Sequence, residues 1–318
     1  MFGSNLPLFP DQASTMAPRV DALLYFLLSI SVFFSLLISI SIVVFAIKYR
    51  RRSDRERPPL ILGNLGLEIV WTAIPLAITM VIFVWGAKLF FVTFYPPTNA
   101  LEINVVAKQW MWKVQHPEGK SEIDELHVPV GQPVKLLMTS QDVIHDFFVP
   151  AFRVKKDVLP GRYTTVWFEA SKPGTYHLFC AQYCGTQHSG MVGRIVVMEP
   201  LAYATWLGGG GTGGSTVAAG EKLFQTFGCA SCHLPNDAGR GPSLIGLLGK
   251  TVTLQDGKTL TADENYIRES ILEPHAKIVR GYQPIMPLFK GSISEEGVMQ
   301  LLSYIKSLAA RQGAQAKK

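Results

Sequence analysis

Hydrophobic residues follow three rhythms along this chain, and each predicts a different kind of structure. Ala22 to Ile47 is an unbroken run of 26 uncharged residues rich in Leu, Ile, Val and Phe, and Ile69 to Ala87 is a second run of 19. As helices rising 1.5 Å per residue, both can cross a hydrocarbon core about 30 Å thick. Phe90, Phe91, Phe94 and Tyr95 follow the second run, where an interfacial aromatic belt would sit. From 101 to 199 the pattern shortens to runs such as "LEINVVA", "PVKLLMT", "YTTVWFEA", "TYHLFC" and "GRIVVME", parted by turns such as "HPEG", "VGQP", "LPGR" and "SKPG". Short strands at regular spacing predict a β-sandwich or barrel. Beyond six glycines between Gly208 and Gly214, which read as a flexible tether, helical spacing returns in "GEKLFQTF" and again in "SEEGVMQLLSYIKSLAA", with Ser294 as its N-cap.

The predicted organisation is therefore an N-terminal segment with two spans (1–95, helices at about 22–47 and 68–92), a β-domain (96–204), a glycine-rich linker (205–219) and a helical domain (220–318). The first apolar run is too long for the core of a cleaved signal peptide, and no small-residue cleavage site follows it. Lys48, Arg50, Arg51, Arg52, Arg55 and Arg57 crowd the loop between the spans. Short loops rich in Lys and Arg stay in the cytoplasm, so everything from about Pro96 onward is expected outside. The net charge of +6 owes much to that loop, and neither globular part is basic enough to suggest a nucleic-acid partner. No histidine precedes His116, so neither span offers an imidazole to a metal or haem within the bilayer.

Only four cysteines occur, as the close pairs Cys180/Cys184 and Cys229/Cys232. A disulfide-stapled fold spreads its cysteines to close large loops, whereas pairs this tight read as ligands or attachment points. The first pair belongs to "CAQYCGTQHSGM", with His188 and Met191, and His145 lies 35 residues upstream of Cys180. Thiolate and thioether favour copper. A disulfide or a zinc site competes with that reading, but the first leaves His188 and Met191 unexplained and structural zinc closes with four ligands and no methionine. Cys-x3-Cys also lets two sulfurs share metals, which allows a two-copper cluster. His116, His127 and His177 read as surface, core or ordinary strand residues, and Trp112 as core.

The second pair stands in "CASCH", the Cys-x-x-Cys-His signal for covalent attachment of c-type haem, in which Cys229 and Cys232 form the thioethers and His233 binds iron. "IVRGYQPIMPLF" offers Met286 as the sixth ligand, 53 residues later. Met299 reads as core and His275 as exposed. Met/His ligation raises the reduction potential, which suits an electron donor to copper.

These motifs resemble subunit II of the haem–copper cytochrome c oxidases, with a fused cytochrome c domain as in the caa-type enzymes. "GPSL" (241–244) resembles the cytochrome segment whose proline carbonyl holds the ligand histidine. The resemblance implies a cupredoxin-like Greek-key β-barrel between a transmembrane hairpin and an all-α cytochrome domain. It implies a dinuclear CuA centre held by His145, Cys180, the backbone carbonyl of Gln182, Cys184, His188 and Met191. Many members carry glutamate at the position of Gln182, where it helps to hold magnesium at the border with subunit I; this departure argues against a conventional magnesium site. "KQWMWKV" makes Trp110 the electron entry beside the copper, and "LEIVWTAIP" makes Glu68 the mouth of a proton channel completed by subunit I.

The implied role is electron transfer without catalysis. A cytochrome c or respiratory complex feeds the haem, electrons pass to CuA and on to haem in subunit I, and oxygen is reduced to water with proton translocation. Subunits I and III are the implied partners and the bacterial inner membrane the implied site, with both termini on the periplasmic side. A stand-alone membrane electron carrier, or the CuA subunit of a nitric oxide reductase, would use the same residues.

Overall fold

The computed structural model describes residues 9–53, 55, 63–208, 215–235 and 238–315. Arg57 of the basic loop and tether residues 209–214 lie outside the described residues. The chain forms two units: Thr15–Tyr95, and Pro96–Lys318 together with Met1–Ser14.

The first unit is a pair of apolar helices, α1 (Ala17–Lys48) and α2 (Leu65–Phe94), both long and apolar enough to cross a membrane. Both exceed the expected spans because helix formation continues into the flanking polar and aromatic residues, so Phe90, Phe91 and Phe94 are helical and Tyr95 is the C-cap. Asn64 starts α2 by accepting a hydrogen bond from the Leu67 amide at 3.1 Å. Phe26 and Trp85 bring the helices together, their ring centroids 5.3 Å apart.

The β-domain packs two five-stranded sheets face to face. β1 (Leu101–Lys108), β2 (Met111–Gln115), β3 (Ser121–Ile123), β5 (Pro133–Ser140) and β8 (Thr164–Glu169) form one, in the order β3-β2-β1-β5-β8. β4 (Glu125–Pro129), β6 (His145–Val149), β7 (Val154–Val158), β9 (Gly174–Cys180) and β10 (Val192–Met198) form the other, in the order β4-β10-β9-β6-β7. Alternate residues such as Ile103, Val105, Val134, Leu136, Phe147 and Leu178 fill the space between the sheets with Trp112. The segment ahead of α1 joins this domain: Ala13 N–H donates to Ala151 O at 3.0 Å and Ser171 N–H to Ala13 O at 2.9 Å.

After α3 (Pro200–Gly208), helices α4 (Thr216–Thr226), α5 (Glu264–Leu272) and α6 (Glu295–Gln315) build the C-terminal domain. Ser294 caps α6 through the Gly297 amide at 3.1 Å. Gly220 lets α4 cross α6 closely, since a Cβ there would lie 2.0 Å from Gln300 O. The domain also holds a hairpin, β11 (Thr251–Thr253) paired with β12 (Thr259–Thr261), which the all-α expectation did not include. Its turn carries Asp256–Gly257, with Gly257 at φ +84°.

β1 and β5 are apolar on both faces. Val106 and Leu137 point away from the sandwich and, with Tyr163, join the core of the C-terminal domain, beside residues that include Leu247, Ile267 and Val298. The two domains therefore share a packed interface.

Candidate metal and haem sites

Two neighbouring strands and the loop after one of them assemble the first site. Phe147 of β6 faces Cys180 of β9 in the ladder, so His145 at the start of β6 and Cys180 at the end of β9 are held on adjacent strands. Residues 181–191 then loop round and return to β10. The contacts form a chain: Cys180 Sγ lies 3.9 Å from His145 Nδ1 and 3.7 Å from Cys184 Sγ. Cys184 Sγ lies 3.4 Å from His188 Nδ1 and 3.8 Å from Met191 Sδ. The Gln182 carbonyl faces the same cluster, 3.2 Å from Cys180 Sγ, while its side chain is exposed. Both cysteines are free thiols. All five side chains and the carbonyl thus converge, and His145, Cys180 and Cys184 offer ligand atoms within 4.8 Å of one another.

Electrostatics prepare this cluster for a cation. Burial alone would push the Cys180 thiol up, but hydrogen bonds from His145 and the surrounding backbone outweigh it and bring the group down to about 7. Burial and the neighbouring Cys180 thiolate push Cys184 up to about 12. Cys180 is therefore poised to ionise, and a bound cation would offset the repulsion that keeps the proton on Cys184.

Asp142, which sequence reasoning passed over, orients the first imidazole. Its Oδ1 accepts from His145 Nε2 at 2.8 Å, which leaves Nδ1 toward the sulfur. Its carboxylate also accepts from the Gln109 and Val143 amides, at 2.8 and 2.7 Å. The available signal was a carboxylate three residues ahead of a ligand-type histidine.

Trp110 touches the site, donating from Nε1 to Cys184 O at 3.2 Å. Trp112 is fully buried and meets His145 edge-on at 6.1 Å. His177 is an exposed residue of β9. His116 is fully buried, bonded through Nε2 to Glu122 at 2.7 Å, and His127 shares that carboxylate from a half-buried position. Glu68 stands in the first turn of α2, where a carboxylate suits the helix dipole.

The second site is a cavity of about 940 Å³ in the C-terminal domain, lined by Cys229, Cys232, His233 and Met286 among apolar residues such as Phe224, Leu244, Ile271 and Leu301. Its volume suits a large planar ligand, and its walls carry two thiols, an imidazole and a thioether, side chains of types that can bind iron. His233 Nδ1 is bonded to Pro242 O at 2.8 Å, which turns Nε2 away from that carbonyl. Gly241 makes room for the ring, because a Cβ there would fall 2.8 Å from His233 Cε1. The residues present therefore fit a covalently attached haem. Met299 is core and His275 exposed, as expected from sequence.

Fold and sites together define a membrane-anchored electron-transfer subunit that couples a cupredoxin-like domain to a c-type cytochrome. Three families match in succession: "Cytochrome C oxidase subunit II, transmembrane domain" over residues 3–89, its "periplasmic domain" over 120–199, and "Cytochrome c" over 217–309. Cytochrome c oxidase subunit 2 of Alkalihalophilus pseudofirmus is 31% identical over 290 residues, 85% of this chain and 83% of that protein. That of Thermostichus vulcanus is 31% identical over 258 residues, 64% of this chain and 79% of its own length. The crystal structure of the periplasmic domain of subunit II of Bradyrhizobium japonicum cytochrome oxidase shares 32% identity, covering 36% of this chain and 95% of that one at a TM-score of 0.35. The chain belongs to the cytochrome c oxidase subunit 2 family and carries a fused cytochrome c domain. Membership implies a CuA centre and a haem, and association with subunit I of a haem–copper oxidase.

Proposed function

We propose that this chain is the non-catalytic electron-entry subunit of a terminal oxidase in a bacterial inner membrane. His145, Cys180, Cys184, His188, Met191 and the Gln182 carbonyl hold two copper ions, and Cys229, Cys232, His233 and Met286 hold one haem. When bound, these groups supply one-electron redox chemistry. Electrons enter at the haem domain from a cytochrome c or respiratory complex, pass to the β-domain and leave for subunit I, where oxygen is reduced to water with proton translocation.

The chain's own residues do the positioning. Asp142 and the β6–β9 pair hold the ligand histidine and first thiolate, and Trp110 lies on the backbone of Cys184 as the aromatic contact at the rim. Glu68 serves proton entry at the start of α2. Ala13 and Ser171 pair within the β-domain unit, which supports placing the chain ahead of α1 on the same side as the globular domains.

The observation that carries this reading is the convergence of two free thiols, two imidazoles, a thioether and a carbonyl at one end of a rigid sandwich. That set is soft, mixed and too rich for structural zinc. The test is Cys180→Ser in the full-length complex. Copper content and oxidase turnover should collapse while the haem spectrum and its reduction by donor persist; unchanged copper and turnover would contradict the assignment.

A further inference from the structure

The outer face of the β1–β5 sheet and the face of the cytochrome domain against it carry more than a casual contact. Val106, Leu137 and Tyr163 form an apolar floor buried under the cytochrome domain. Beside it four charges alternate. Lys135 Nζ lies 2.8 Å from Glu102 and 3.5 Å from Glu264, and Lys306 Nζ lies 2.6 Å from Glu102 and 3.3 Å from Glu264. Glu102 and Lys135 belong to the β-domain, Glu264 and Lys306 to the cytochrome domain, so each like-charged pair is split between the domains. All four side chains are 20–30% exposed, which keeps the square partly shielded from solvent.

Backbone-directed bonds fix the register. Arg268 Nη1 donates to Gly161 O at 2.6 Å, and the Tyr163 amide donates to Asn265 Oδ1 at 2.6 Å. Glu296 accepts from Lys113 at 2.8 Å and Gln141 at 3.0 Å, and Gln141 precedes the Asp142 that holds His145. Both described ends of the connecting segment are fastened as well. Lys120 Nζ donates to Trp206 O at 2.5 Å, and the Thr216 amide donates to Pro117 O at 2.9 Å, so both ends meet the β2–β3 turn.

We propose that the cytochrome domain is a fixed mount and not a swinging tethered module, locked onto the β1–β5 face by the Val106–Leu137–Tyr163 floor and the Glu102–Lys135–Glu264–Lys306 square. The partner that this face of the β-domain fits is the chain's own cytochrome domain, bound in one orientation whether or not the connection is intact. Electron passage between the two sites then occurs in a single geometry, and its rate does not depend on ionic strength. Charge alternation of this kind chooses orientation more than it adds affinity. The apolar floor supplies the binding.

The test uses the full-length subunit in its complex, with a protease site placed within 209–214. After cleavage at low and moderate salt, the cytochrome domain should co-elute with the complex and internal electron transfer should keep its rate. Combined Lys135→Glu and Lys306→Glu places four like charges together. That variant should weaken retention of the cleaved domain at least about tenfold. Adding Glu102→Lys and Glu264→Lys should restore it, which separates loss of the lock from misfolding. Release of the wild-type domain on cleavage at low salt, or full retention of the charge-reversed variant, would overturn the proposal. The retention readout is independent of the electron order proposed above, so it stands or falls separately from that reading.

Discussion

In the β-domain four of the six candidate donor residues are part of the packed interior, while His188 is half-buried and Gln182 exposed. Cys180, Cys184, Met191 and His145 are 0–7% exposed, and the three sulfur residues belong to the same core as Phe147 and Leu178. In the cytochrome domain the corresponding residues instead line a cavity of about 940 Å³, with helices α4–α6 and the β11–β12 hairpin arranged around it. The first site is a cluster set on a scaffold that stands by its own packing. The second is a container: Phe224, Leu247, Ile267, Ile271 and Leu301 belong to the domain's own core and also wall the cavity, and a haem held there would complete their packing. Metal loss and haem loss should therefore have very different structural costs.

The largest expected effect follows from that contrast. Cys229→Ala combined with Cys232→Ala removes covalent attachment, and the cytochrome domain should lose most of its ordered helix in circular dichroism while the β-domain melts as before. A cytochrome domain that kept its helix content and melting temperature would show that the cavity is not the organising element. Next comes Phe147→Ala, which deletes a fully buried ring stacked edge-on against Trp112 at 5.3 Å. It should destabilise the β-domain by about 3–5 kcal/mol in denaturant titration. By comparison, Cys180→Ser should cost the β-domain fold far less than Phe147→Ala, even as it abolishes the metal site.

The smallest effect is acid sensitivity of the domain interface. Burial raises Glu102 and Glu264, but Lys306 and Lys135 outweigh it and hold both carboxyls below their ordinary value of 4.5. A depressed folded-state value contributes stability above the unfolded value and loses it as pH falls through the folded one. The interface should therefore hold at neutral pH and loosen below about pH 4.5, the ordinary carboxylate value. Protection of the Tyr163 amide from hydrogen exchange, taken relative to its intrinsic rate, should fall there in wild type, with a weaker pH response in Glu102→Gln.

Much of this was legible in the residues. The spacing of Cys180, Cys184, His188 and Met191 lies within one loop, so local sequence carries it. His145 is recognisable only because few histidines compete with it. The cytochrome motif is likewise local, and Met286 stands out in a Pro-rich loop. The interface was harder to read. Its signal was present in "NVVA" and "KLLM", runs apolar on both faces, which mark a strand covered on both sides. Read alone, they are indistinguishable from sandwich core. The β11–β12 hairpin was missed by the all-α expectation, although Asp256–Gly257 between two Thr-rich runs carried its signal. Asp142 escaped notice because a carboxylate's partner three residues away depends on the turn between β5 and β6, which sequence leaves open.

On the proposed function, one polypeptide would hold two coppers among His145, Cys180, Gln182, Cys184, His188 and Met191 and a covalent haem at Cys229, Cys232, His233 and Met286. The most direct test is metal and haem quantification on the purified full-length chain, with electron paramagnetic resonance of the same sample. Two coppers sharing one unpaired electron and one covalently bound haem per chain are predicted. A single isolated copper, bound zinc, or haem removable without breaking thioether bonds would contradict it.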